Sequence, residues 1–246
     1  MRPSSPLTTE LKAMWHQCVL CQEHTILNVC ELCESDTDFI QHTLLRQNLC
    51  TVNDTVTDNY LEHDAVLNAK FDELWILGVY HYPLTYLIPA LKFHGQRHFA
   101  TLLAQWFVLY RVKYMTDLPQ VIIPVPLHWR RFLQRGYNQA ELIAQTLSQH
   151  LHIPIDKTDR DALVKRRRYT KPQSELNQEQ RRQNMQHVFS VNPQAIAQYQ
   201  HIVIVDDVMT TGGTINDLCR AIYRHAPHIK ISVWCIGLRI DIIPAS

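Results

Sequence analysis

Two adjacent carboxylates, Asp206 and Asp207, stand between four β-branched apolar residues, Ile202 to Val205, and a turn of hydroxyls and glycines, Thr210-Thr211-Gly212-Gly213-Thr214. The apolar run suits a strand buried on both faces of a parallel sheet, so the acids fall where that strand is expected to end. Val208 and Met209 lead into the turn, and beyond it Ile215, Leu218, Cys219 and Ile222 share one face of an amphipathic helix. A strand, a Gly/Thr turn and a helix N-terminus make an anion site, because free backbone N–H groups and the positive end of the helix dipole converge there. The glycines let the backbone approach a phosphate, and the threonine hydroxyls add donors. The aspartates suit neighbouring hydroxyls or a magnesium ion, which takes oxygen ligands. Phosphate, sugar hydroxyls and metal together describe a phosphorylated ribose. The plainer alternative is a strand, turn and helix whose acids only cap the helix. Other phosphate loops fit poorly: GxxxxGK followed by Ser or Thr is missing, and the six glycines never form GxGxxG.

A second constellation lies near the start of the chain. Cys18, Cys21, Cys30 and Cys33 form CxxC-x8-CxxC. Each CxxC turn brings two thiolates close enough to grip one ion, and two turns complete a tetrahedral four-sulfur set that favours structural zinc. A disulfide framework suits an oxidising compartment, and a redox CxxC needs a thioredoxin-like setting that the sequence lacks. His16 and His24 lie nearby, but four thiols already complete the set. Cys219 and Cys235 fall in apolar patterns and are expected in the core.

The basic residues form two groups. Arg135 and Gly136 sit in HWRRFLQRGYNQ, residues 128–139, directly after the strand-like and proline-stiffened Val121-Ile122-Ile123-Pro124-Val125-Pro126. A basic, glycine-containing loop there lies at the carboxyl edge of a parallel sheet, where α/β folds bind ligands. Arg135 could pair bidentately with phosphate oxygens while Gly136 lets the backbone close in. A solvent-facing basic loop is the other reading. Residues 165–182, KRRRYTKPQSELNQEQRR, hold Arg166, Arg167, Arg168, Lys171, Arg181 and Arg182, with Tyr169 available for stacking. This stretch reads as a mobile arm over bound phosphate, as a track for a nucleic-acid backbone, or as solvated surface.

These groups must be positioned by elements. Leu74 to Tyr80, Val121 to Val125, His201 to Asp206 and Ile231 to Leu238 read as strands. Leu84 to Tyr114 reads as one or two helices, with Gly95 near a helix end. A further helix runs to about Leu151, with Ala140, Ile143, Ala144, Leu147 and Leu151 as its buried stripe. Strands alternating with helices predict an α/β fold with a parallel sheet flanked by helices. The expected organisation is a zinc ribbon over 1–38, an acidic connector over 39–70 and the α/β domain over 71–246.

Composition supports this arrangement. With 246 residues, 46% apolar and 19% charged, the chain can build a core and is not expected to be disordered. No run approaches 18 apolar residues, and the N-terminus has no apolar signal-peptide region, so we expect no membrane insertion and a cytoplasmic location. A net charge of +1 hides an asymmetry. Residues 31–73 hold ten acids against Arg46 and Lys70, whereas 128–182 hold twelve basic residues against six acids. That separation suggests a basic face for polyanions.

Four features in order carry a family resemblance: the four-cysteine ribbon, IIPVPLHWRRFLQRGYNQAELIA, QSELNQEQRRQNMQHVF, and IVIVDDVMTTGGT. The last resembles the 5-phosphoribosyl-1-pyrophosphate (PRPP) loop of type I phosphoribosyltransferases. The whole resembles ComF/GntX-like proteins, the competence protein F family of the phosphoribosyltransferase superfamily. The resemblance thins over 34–70, where some relatives carry further cysteine pairs and this chain has only Cys50. It implies a cytoplasmic protein of natural transformation that handles incoming single-stranded DNA beside a helicase-like translocase and recombination mediators. It also implies that Asp206 and Asp207 meet the ribose hydroxyls directly or through Mg²⁺. Thr210 to Thr214 would hold the 5′-phosphate, and Arg135 and Gly136 would face pyrophosphate.

Two functional classes follow. One is a binding module that holds PRPP or a related 5-phosphoribosyl ligand and tracks single-stranded DNA along the arm. The other is a Mg-dependent phosphoribosyltransferase acting on an unidentified acceptor, with Asp206 and Asp207 as its catalytic carboxylates.

Overall fold

The computed structural model describes residues 16–25, 28–39, 44–45, 70–156, 162–166 and 188–239. The chain divides into two compact units, 1–38 and 39–246. In the first, β1 (His16–Gln17) pairs antiparallel with β2 (His24–Thr25), and a one-turn helix α1 (Glu31–Ser35) follows Cys30.

The second unit is built on a sheet. A short strand β3 (Leu44–Leu45) lies antiparallel to β4 (Glu73–Val79) at one edge, so part of the expected acidic connector joins the sheet. Phe39 bridges to Gly78 in the same antiparallel sense and stacks on Tyr110 at 4.0 Å. After β4 come two helices, α2 (Leu84–Phe93) and α3 (His98–Tyr110). His94 caps α2, and Gly95 follows with φ +69°, a left-handed conformation that glycine adopts without a Cβ penalty. β5 (Val121–Pro124) is followed by α4 (Trp129–Arg135) and α5 (Gln139–Leu151). A hairpin of β6 (Val164–Arg166) and β7 (Phe189–Val191) leads through α6 (Pro193–Ile196) into β8 (His201–Met209). α7 (Gly213–Tyr223) then connects to β9 (Lys230–Leu238).

The sheet order is β3-β4-β9-β8-β5, with β4, β9, β8 and β5 mutually parallel. The α/β expectation therefore holds. Side chains alternate across each strand, so Ile202 and Ile204 of β8 and Ile231 and Val233 of β9 pack with Ile215, Leu218, Cys219 and Ile222 of α7. The opposite face carries Val203, Val205 and Trp234, all buried, and the Trp234 ring lies 5.3 Å from that of Phe107 on α3. Cys219 and Cys235 are buried as expected, whereas Leu151 of the expected α5 stripe is half-buried.

Two local expectations are corrected. β8 does not end at Asp206: its pairing with β9 continues from Asp206 opposite Cys235 through Val208 opposite Gly237 to Met209 opposite Leu238. The hydrogen-bonded partner, not the apolar run, sets the strand's end. The expected basic loop at 128–139 is instead a helix over Trp129–Arg135, because the His128 Nδ1 caps it by accepting from the Arg130 N–H at 3.2 Å and Gly136 ends it at φ +77°.

Candidate functional site

The carboxyl ends of β8 and β5 and the start of α7 bring most of the sequence-identified residues to one edge of the sheet. The strand alternation that carries through Asp206 and Asp207 directs them to opposite faces. Asp207, buried, forms an ion pair with Lys92 in the last turn of α2 at 3.0 Å. Asp206 is half-buried, and its Oδ1 accepts the Asp207 N–H at 2.9 Å. Burial pushes the Asp206 carboxyl up to about 7; the neighbouring Asp207 charge adds to this and the Lys92 ammonium opposes it.

The turn is compact. Thr210 and Thr211 are exposed, Gly212 is buried with φ +65° at the N-cap of α7, and Gly213 and Thr214 form the first helical turn. The first bond inside α7 runs from Asn216 N–H to the Gly212 carbonyl at 2.8 Å, and no side chain caps the helix. Its leading backbone donors therefore face the edge where the threonine hydroxyls stand. Val208 is half-buried and Met209 lies in the core, so Met209 offers only backbone here; its carbonyl accepts from the Arg239 N–H at 2.9 Å.

Beside the acids lies a cavity of about 320 Å³, walled by Lys92, Phe93, Arg131, Gln134, Arg135 and Tyr137. Three cations and no acid line it. Arg135 is held there twice over, by donating from Nη1 to Gln139 Oε1 at 3.0 Å and by lying 4.9 Å over the Phe93 ring. The RGYN sequence explains the geometry. Gly136 turns the chain, the Tyr137 hydroxyl donates to the Leu91 carbonyl on α2, and the Arg97 guanidinium covers the Tyr137 ring at 4.5 Å. Asn138 donates to the Val125 carbonyl at 3.0 Å while its Oδ1 caps α5 by accepting from Ala140 N–H at 3.2 Å. Thus α2, β5, α4 and α5 are tied together around the cavity.

Sequence reasoning does not identify Lys92 or Arg131 as site residues. Lys92 carries a weak signal as a cation in the last turn of a helix, and its partner lies far along the chain. Arg166 is also placed differently from expectation. It is half-buried at the end of β6 with its guanidinium 5.5 Å from the Phe189 ring. Burial lowers its pKa, while Asp206 and Asp217 counter that effect. Asp217 is itself pushed up to about 6 by burial, against the pull of Arg220, Arg166 and Arg224. His128 is lowered by burial and then by Arg166, Arg130 and Arg131, so it stays neutral and serves as a cap. Arg167, Arg168, Lys171, Arg181 and Arg182 lie outside the described residues.

In the first unit, the Sγ atoms of Cys18, Cys21, Cys30 and Cys33 all fall within 4.8 Å of one another. Cys30 N–H donates to Cys18 Sγ at 3.3 Å. Burial raises the Cys18 thiol, but backbone donors from Cys21, Cys30 and Leu20 outweigh it and bring the thiol down to about 6. Four thiols gathered this closely are compatible with a structural metal ion.

Residues 137–238 match the phosphoribosyl transferase domain family. Competence protein F of Haemophilus influenzae is 36% identical over 173 residues, which is 67% of this chain and 72% of that protein. The chain belongs to the competence protein F family of the phosphoribosyltransferase superfamily. Also similar are DNA utilization protein YhgH of Escherichia coli strain K12, 35% identical over 158 residues (63% of this chain, 66% of that protein), and competence protein ComFC of Bacillus subtilis, 23% identical over 229 residues (92% and 79%). The domain match begins at Tyr137, so two walls of the cationic cavity, α2 and α4, lie outside it. Membership of the competence protein F family fits the turn at β8, while the cavity is built largely from the segment before the matched domain.

Proposed function

We propose that this competence-related phosphoribosyltransferase-like protein binds PRPP with Mg²⁺ at the carboxyl edge of its sheet and handles single-stranded DNA in the cytoplasm during natural transformation. The observation that carries the ligand assignment is the pairing of a cation-lined cavity with an acid pair and a helix N-terminus. Lys92, Arg131 and Arg135 suit a pyrophosphate, Asp206 and Asp207 suit ribose hydroxyls, and the Thr210 to Thr214 turn suits a 5′-phosphate. The carboxylates of Asp206 and Asp207 are hard oxygen donors that fit Mg²⁺, with pyrophosphate supplying further ligands. Zinc in the four-cysteine cage holds the N-terminal unit. DNA handling is supported by family membership and by the basic composition of 128–182, and a helicase-like translocase and recombination mediators are the partners this role calls for.

Calorimetric titration with PRPP and Mg²⁺ tests the site. Saturable binding by the wild type and its loss in Asp206→Ala/Asp207→Ala, with the circular dichroism spectrum retained, is the expected result. Equal affinity in the two proteins would sink the ligand assignment.

A second reading is catalytic transfer, favoured by the cluster of Lys92, Arg131 and Arg135 beside the carboxylates. The C1–O bond to pyrophosphate would break with its electron pair received among the cations, and an acceptor lone pair would then form the new bond to C1. Pyrophosphate release that depends on an added nucleophile would establish it.

A further inference from the structure

The helix that walls the cationic cavity has a second face that phosphoribosyl binding leaves unused. On α4, Arg131, Gln134 and Arg135 are spaced i, i+3, i+4 and line the cavity. Trp129, Phe132 and Leu133 have the same spacing, lie off the cavity, and are 59%, 46% and 73% exposed. Phe93, across the cavity mouth, is 66% exposed. Large apolar side chains clustered on a surface mark a place where something docks.

Charge decides what docks. α4 carries Arg130, Arg131 and Arg135 and no acid. The Arg130 guanidinium lies 5.4 Å over the Trp129 ring, and Arg135 lies 4.9 Å over Phe93, so aromatic rings and cations alternate along this edge. A partner must therefore present flat apolar faces and regularly spaced negative charge together. Unpaired bases on a phosphodiester backbone do so, whereas a duplex hides its base faces inside the stack. A neutral apolar groove on another protein would match the rings but not the positive charge that α4 carries.

We infer that the outer face of α4 is a stacking platform for single-stranded nucleic acid, with bases on Trp129 and Phe132 and the backbone held by Arg130. The inference rests on the DNA-handling reading and moves the principal contact from the 166–182 segment to this helix. Sequence tolerance follows, since every base has a π face.

The test is fluorescence anisotropy of the full-length chain with labelled oligo(dT) and with a duplex of equal length, at one salt concentration. Trp129→Ala/Phe132→Ala is expected to weaken oligo(dT) binding by about tenfold to a hundredfold. Duplex binding should change little, and the thermal midpoint should hold because both side chains are exposed. Trp129→Phe is expected to keep most of the affinity. Made in a Trp15→Phe background, it should also lose most of the tryptophan quenching that accompanies binding, since Trp75, Trp106 and Trp234 are buried. Unchanged oligo(dT) affinity in the double variant, or a wild-type preference for duplex, would overturn the platform while leaving DNA handling intact. Failure of the wild type to bind any strand would instead overturn the DNA-handling reading itself.

Discussion

Asp206 and Asp207 are chemically identical neighbours in different surroundings. Asp207 is matched by Lys92, while the half-buried Asp206 loses solvation beside a second carboxylate with only partial compensation. A carboxyl raised to about 7 in the fold keeps a proton that the unfolded chain has released by about pH 4. Between those values the folded state binds more protons, so its stability falls as pH rises through the window. Asp206→Asn removes this penalty. Thermal unfolding at pH 8 should show the variant about 2 kcal/mol more stable than the wild type, with the difference gone near pH 4. The same variant should bind PRPP more weakly, which would mark Asp206 as a position where function is held at a cost to the fold. A wild-type midpoint higher at pH 8 than the variant's would contradict the assigned burial. Lys92 is the counterpart: Lys92→Met leaves Asp207 buried without its cation. PRPP affinity should then fall by about tenfold or more, read by the same titration. The carboxylates were legible in the sequence because they adjoin a recognisable turn. Lys92 was not, since only the folded sheet brings α2 to the end of β8.

Asn138 shows how one short segment fixes several elements. It is buried, caps α5 through Oδ1, and reaches the end of β5 through Nδ2. Asn138→Ala removes both bonds and leaves the Val125 carbonyl without this donor, so a loss of about 2 kcal/mol in urea unfolding is expected. A loss no larger than that of an ordinary exposed cap would show that the β5 contact contributes little. Gly136→Ala is a milder change. Its added Cβ would meet only Arg97 Nη2 at 3.7 Å, so the cost is the left-handed backbone alone, about 1 kcal/mol. At this scale the elements were only partly legible. Apolar periodicity marked β4, β5, α5, α7 and β9 closely, because burial imposes it. It missed the continuation of β8 beyond Asp206, which depends on hydrogen bonds to β9. It also missed α4, whose outer face carries apolar residues that a core does not explain.

Across the whole molecule, the two units rest on different sources of stability. The sheet unit has apolar packing on both faces. Among the described residues, the first unit has two residue pairs of strand, one short helix and a cluster of four thiols, and a chain segment of this size rarely sustains a core unaided. A metal ion held there would therefore supply folding energy. Both the paired CxxC spacing and the parallel sheet were readable because each follows a local rule, a ligand interval in one case and a hydrophobic pattern in the other. The long basic segment was harder, as charge runs carry no periodicity, and its first arginine proves to belong to a hairpin strand. Cys30→Ser, or chelation of the wild type, should release bound zinc and strip hydrogen-exchange protection from amides in 16–38. Amides of β8 and β9 should keep theirs, since these strands pair with each other and pack on α7 and α3. If protection in the sheet fell together with that of the ribbon, the metal would be a keystone of the entire chain, and the two units would have to be regarded as one cooperative fold.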